Sequence, residues 1–207
     1  MLIVSERALD FLARTLAFIQ QVKKKKKKAF WDEVHQLNVD GDWTKWQWPE
    51  QLQQLKDKAK AAGLWNMFLP DAELGAGLSV QEYAHIAELT GRSLLAPTVF
   101  NCNAPDSGNM EVLWRYGSEA QKQQWLQPLL AGEIRSVFCM TEPAVASSDA
   151  TNMQATAVID GDEIVLNGRK WWSSGLGDPN AKVIIFMAYT PDESKDRHHQ
   201  HSMVLVP

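Results

Sequence analysis

Cysteine is scarce in this chain: two in 207 residues, Cys102 and Cys139, in unrelated contexts. They make no metal-ligand spacing and read as two reduced thiols of a cytosolic-type protein. Long apolar runs are missing as well, so no segment can span a bilayer as a helix. The N-terminus lacks the charged, apolar, small order of a secretory signal, and acidic Glu6 and Asp10 argue against a transit peptide. No strong excess of one charge exists: 21 Lys and Arg against 25 Asp and Glu give a net −4, which supplies no long-range pull on nucleic acid. Internal repeats are absent too. What remains is a length suited to one or two domains with a sizeable core.

The first two thirds read as helices. Leu9, Leu12, Leu16, Ile19, Phe30, Val34 and Leu37 recur at three- and four-residue steps, predicting one long helix or two in succession over 5–38 with a single buried stripe. Six lysines, Lys23 to Lys28, interrupt that pattern, and Lys26 falls near the stripe itself. No aromatic or amphipathic pattern accompanies the run, so it reads as a solvated or substituted segment rather than a nucleic-acid or membrane surface. Trp43, Trp46 and Trp48 precede Pro49, which opens a helix that Gly63 closes, with Leu52, Leu55, Ala59 and Ala62 inward. Gly75 and Gly77 read as a plain loop, because no strand precedes them. Ser79 with Glu82, and Ser118 with Gln121, have capping-box spacing. The first pair starts a helix reaching about Thr90. The second opens one that runs past Trp125 and stops at Gly132. A further helix begins near Asp106 or Ser107.

After Ile134 the period changes to alternation. Strands are expected over 136–140, 152–159, 163–167, 169–173, 182–189 and 202–206, with turns at Asp160-Gly161 and Asn167-Gly168. The charged loop carrying His198, His199 and His201 has no cysteine or carboxylate at ligand spacing and reads as exposed, not as a metal site.

At the switch from helix to strand lies Phe-Cys-Met-Thr-Glu-Pro-Ala-Val-Ala-Ser-Ser, residues 138–148, followed after two short strands by Gly-Arg-Lys-Trp-Trp-Ser-Ser-Gly, residues 168–175. Hydroxyls and small residues beside an apolar plate suit a flat aromatic cofactor with a polar edge. In isolation Thr141 and Ser147 could equally be turn residues satisfying their own backbone, and Trp172 a buried strand residue. The first segment resembles the Thr-Glu-Pro flavin segment of the acyl-CoA dehydrogenases, and Trp172-Ser173-Ser174 their Trp-x-Ser/Thr segment. Residues 63–134 resemble the helical N-terminal domain of that family, notably the branch reading Ala-Pro-Asp-Ser-Gly-Asn-Met-Glu, here 104–111. The lysine run departs from the family, whose members carry a mixed apolar segment with proline there.

The resemblance implies an α+β fold: an N-terminal all-α domain over 1–134, then an antiparallel, β-barrel-like middle domain over 135–207. It implies FAD as cofactor, held by Phe138, Met140, Thr141, Ser147, Ser148, Trp172, Ser173 and Ser174. Ser147 and Ser148 would also approach the acyl-CoA substrate. The activity implied is α,β-dehydrogenation of acyl-CoA thioesters, as in fatty-acid β-oxidation, with an electron-transfer flavoprotein as acceptor. A homodimer or homotetramer in the bacterial-type cytoplasm is implied too, with the mitochondrial matrix or peroxisome as other settings. No catalytic residue is expected in this chain. Glu142 belongs to the flavin loop, and the family's base comes from a C-terminal helical bundle beyond Pro207. Ala144-Val145-Ala146 replaces two family glycines, which implies strain if glycine angles are needed there. An acyl-CoA oxidase of the same fold, or a non-catalytic binding module, are the other readings.

Overall fold

The computed structural model describes residues 4–24, 27–42 and 45–207. Lys25, Lys26, Trp43 and Thr44 lie outside the described residues, so the placing of Lys26 near the apolar stripe is not settled here. The chain forms two compact units, Met1–Gly132 and Glu133–Pro207.

The first unit is helical: α1 (Glu6–Lys24), α2 (Lys27–Leu37), α3 (Glu50–Ala61), α4 (Val80–Thr90), α5 (Ala96–Val99), α6 (Asp106–Tyr116), α7 (Glu119–Gln121) and α8 (Gln127–Ala131), the last two joined by a π turn over Lys122–Leu126. Both capping boxes form, Ser79 with Glu82 opening α4 and Ser118 with Gln121 opening α7. Gly63 and Gly132 take left-handed angles past the ends of α3 and α8, which a side chain would resist. Pro49 sits one residue outside α3, as its N-cap.

The buried stripe of α1 is rotated from the expected one. Ala8, Thr15 and Ile19 are buried, whereas Leu9 is 52% and Leu16 37% exposed. α1 packs against α4, and the Thr15 hydroxyl donates to the Met67 sulfur at 3.7 Å. Likewise Ala62 is exposed while Leu52 and Ala59 are buried. The core holds Leu64, Met67, Leu69, Leu78, Ile86, Phe100, Met110, Leu126 and Leu129. Among them two asparagines cap α8: Asn101 donates to Asn66 Oδ1 and to the Leu129 carbonyl, and Asn66 donates to the Leu130 carbonyl. Both adopt left-handed backbone angles, which asparagine tolerates.

The second unit is one five-stranded sheet: β1 (Arg135–Cys139), β2 (Thr156–Asp160), β3 (Glu163–Asn167), β4 (Ala181–Tyr189) and β5 (His201–Val206). The sheet is mixed rather than wholly antiparallel. β2–β3 and β4–β5 are antiparallel, but β1 runs parallel to β4, and β2 meets β4 in parallel at Thr156 and Tyr189. β4 is the central strand, and its apolar sequence follows from that, with Val183, Ile185 and Ala188 buried. The β2–β3 hairpin turns at Gly161-Asp162, one residue later than expected, with Asp160 facing Glu163. Residues 152–155 are not strand; Ala150–Asn152 forms a 3₁₀ turn instead.

The segment expected as a strand over 169–173 is not one. Asn167-Gly168 makes no hairpin. At Gly168 the chain leaves the sheet with φ 149°, so close to Ala155 that a β carbon would lie 2.4 Å from that residue's own. Trp172 has φ 58°, an angle incompatible with a ladder. Residues 168–177 instead form a strap that ends in a 3₁₀ turn over Ser174–Gly177.

Candidate functional site

Two irregular segments meet beyond the end of β1. One is the loop 140–155, the other the strap. The Trp171 N–H donates to the Thr141 carbonyl at 2.8 Å. Lys170 reaches under this contact, donating to the Met140 carbonyl at 3.1 Å and to Glu142 Oε1 at 2.9 Å. Further along, Gly175 packs on Val137 of β1, where a β carbon would stand 3.3 Å from a valine methyl. The strap is therefore held near both ends of the junction.

Glu142 organises the loop. Its carboxylate accepts from the Gln154 N–H at 2.8 Å, the Ala155 N–H at 2.9 Å and the Lys170 ammonium, tying the start of the loop to its finish. Its own N–H donates to Ser147 Oγ at 2.7 Å. Burial pushes the Glu142 pKa upward, but the Lys170 and backbone hydrogen bonds outweigh it and hold the carboxyl below its ordinary range. A carboxylate so engaged is a poor proton acceptor. Lys170 also lies over the Phe186 ring at 4.9 Å.

The sequence-predicted residues fall into two sets. Thr141, Ser148, Trp172 and Ser174 are exposed, and Phe138, Met140 and Ser173 are half-buried. Ser147 is buried, with its oxygen committed to Glu142. Trp172 is 71% exposed, not buried in the sheet, and its ring lies 4.9 Å from that of Trp171. The buried Ser173 oxygen has no hydrogen-bond partner. None of Ala144, Val145 and Ala146 takes a positive φ, so the expected strain is absent there. The loop instead closes through the Ser147 N–H to the Val145 carbonyl and the Asp149 N–H to the Ala146 carbonyl.

Sequence reasoning passed over Lys170 and Arg197. Arg197 donates to the Thr151 hydroxyl at 2.6 Å and so braces the far side of the loop. A single lysine two residues before Trp172 carries no local signal, since most lysines are solvated. Of the histidines, His199 pairs with Asp196 at 2.6 Å. Among the described residues, no group of three potential metal ligands occurs. No described helix is long and apolar enough to cross a membrane.

The profile of the acyl-CoA dehydrogenase N-terminal domain matches residues 4–133, and that of the middle domain matches residues 137–207. The chain belongs to the acyl-CoA dehydrogenase family. It is 51% identical over 203 residues to acyl-CoA dehydrogenase family member 11 of Mus musculus, covering 98% of this chain and 25% of that protein. It is 48% identical to the Mycobacterium tuberculosis protein named "Probable acyl-CoA dehydrogenase FadE2", covering 99% of this chain and 48% of that one. A solved structure of a proposed acyl-CoA dehydrogenase from Mycobacterium abscessus is 58% identical and superposes with a TM-score of 0.90 over 100% of this chain and 51% of its own. A glutaryl-CoA dehydrogenase from Mycobacterium smegmatis, solved in complex with FADH2, is 26% identical with a TM-score of 0.64, over 99% of this chain and 46% of its own. The chain thus spans a quarter to a half of these relatives' lengths.

Proposed function

We propose that this chain supplies the flavin-holding part of an FAD-dependent acyl-CoA dehydrogenase that introduces a double bond between the α and β carbons of an acyl-CoA thioester. The observation that carries the reading is the Trp171-to-Thr141 hydrogen bond. It sets two exposed indoles beside an exposed threonine hydroxyl and a buried serine oxygen that lacks a partner. Apolar plate and unsatisfied polar rim together fit a flat ring with a polar edge.

FAD bound there would accept the hydride that leaves the β carbon. This chain's residues bind and orient. Trp171 and Trp172 cover apolar surface and exclude water, while the hydroxyls of Thr141, Ser173 and Ser174 donate to the polar edge. Phe138 and Met140 back the ring from the end of β1. Anionic oxygens of the cofactor and of acyl-CoA fall to Ser148, the exposed member of its pair, with Ser147 shaping the loop beneath it. The proton acceptor lies outside residues 1–207. An electron-transferring flavoprotein takes the electrons, and the whole enzyme is a homo-oligomer.

The test is the visible spectrum of the whole protein before and after anaerobic addition of acyl-CoA thioesters. A flavin band that bleaches supports the reading, and a colourless protein that takes up no FAD ends it. Ser174→Ala is expected to weaken FAD retention or slow bleaching; no change in either removes Ser174 from the site.

A further inference from the structure

The junction of loop and strap has an outward and an inward set of residues. Thr141 faces outward and Glu142 inward; Lys170 faces inward, and Trp171 and Trp172 outward. The inward pair is nearly dry, with side-chain exposures of 6% for Lys170 and 4% for Glu142. Between the outward residues a single backbone hydrogen bond runs, from Trp171 to Thr141. One such bond leaves the strap free to pivot about it. The second and third points of attachment come from the Lys170 ammonium, on the Met140 carbonyl and the Glu142 carboxylate. A fourth comes from Gly168, whose missing side chain lets the strap pass over Ala155. Ala155 is itself held by Glu142 through its N–H.

Loop, strap and the entry to β2 therefore converge on one carboxylate. Attachments at both Lys170 and Trp171 define an orientation of the strap where one does not. A charge-assisted hydrogen bond at this depth is also shorter and stronger than a neutral one. We propose that Glu142 and Lys170 are positioning residues: their buried ion pair sets the spacing between Thr141 and the Trp172–Ser174 segment, and thereby the affinity of the site for flavin. The role rests on the flavin reading given above and adds to it two residues that need not touch the cofactor.

The experiment combines amide hydrogen exchange with FAD titration on the whole protein, in wild type, Lys170→Met, Glu142→Gln and Glu142→Asp. Loss of the charge in Lys170→Met or Glu142→Gln is expected to raise exchange at the Trp171 amide about tenfold or more, to leave α4 amides unchanged, and to weaken FAD by a similar factor. Glu142→Asp keeps the charge and shortens the reach by one methylene. It is expected to lower the melting temperature less than the neutral variants do and yet weaken FAD by about tenfold, a split that a purely structural ion pair would not produce. Should the two neutral variants fail to fold, Glu142→Asp decides: unchanged FAD affinity there overturns the proposal. Unchanged Trp171 exchange in a folded Lys170→Met protein overturns it as well. Wild-type protein that takes up no FAD overturns the flavin reading and this role with it, whereas wild-type binding with all variants unaltered overturns the clamp alone.

Discussion

Glu82 in the helical unit and Glu142 in the sheet unit are both carboxylates that gather backbone N–H groups, and they do so at different depths. Glu82 sits at a helix start, where it accepts from the Ser79 N–H and hydroxyl three residues back and from the Ser5 N–H at the head of α1. Hydrogen bonding from the Ser5 side chain foremost, then from the Ser79 N–H and hydroxyl, lowers its pKa to about 2. Glu142 is buried, and its donors are 12, 13 and 28 residues away. The first arrangement closes a helix end that water could also satisfy. The second replaces water altogether, so removing one member leaves the others stranded. The exposed arrangement is replaceable; the buried one holds an entire junction.

The sharpest way to break that contrast is to empty the buried site. Glu142→Ala, which strands the Lys170 ammonium, is expected to destabilise the sheet unit by about 3–5 kcal/mol, read as an earlier urea transition and lost exchange protection in β4. A loss under about 1 kcal/mol would place the pair among surface ion pairs, contrary to its burial. The pair also predicts a pH dependence. Because the folded carboxyl lies below its ordinary 4.5, its stabilisation is fully present above that value and is lost as pH falls through the folded pKa. Glu142→Gln should flatten that acid limb, and an unchanged limb would assign it to other groups.

Next in size is Gly168→Ala. The new β carbon meets Ala155 at 2.4 Å on a backbone with φ 149°, so a loss of about 2–4 kcal/mol is expected, with the strap displaced. Wild-type stability and Trp171 protection in that variant would mean the strap has room to move. The smallest effect belongs to the local arrangement. Ser79→Ala removes one half of a capping box and should cost about 1 kcal/mol, with exchange rising only in the first turn of α4. A loss as large as that of Glu142→Ala would erase the distinction between the two sites.

Much of the helical unit was readable from short patterns: Ser79 with Glu82, Ser118 with Gln121, and the glycines at 63 and 132 all mark helix ends where the structure has them. The inward face of α1 was not. A hydrophobic count ranks Leu9 and Leu16 above Ala8 and Thr15, yet packing buries the smaller pair, with the Thr15 hydroxyl satisfied by the Met67 sulfur. In the sheet unit, alternation located β1, β4 and β5 to within a residue, but it also promised a strand over 169–173. Nothing local separates a strand from a strap there: the residue types suit a strand, and only the left-handed angle at Trp172 and the close approach of Gly168 to Ala155 exclude one. The two motifs themselves were legible. That Lys170 would join them was not, nor that Ser147 would turn inward.

Caps, tight turns and strand periods depend on groups a few residues apart, whose geometry the backbone itself dictates, and these the chain carries in its order of residues. Which face of α1 is covered, where the strap goes after Gly168, and what satisfies the carboxylate of Glu142 depend on segments distant in the chain. Those outcomes were decided by packing and by the need to partner every buried charge, and they exist only once the sheet has assembled.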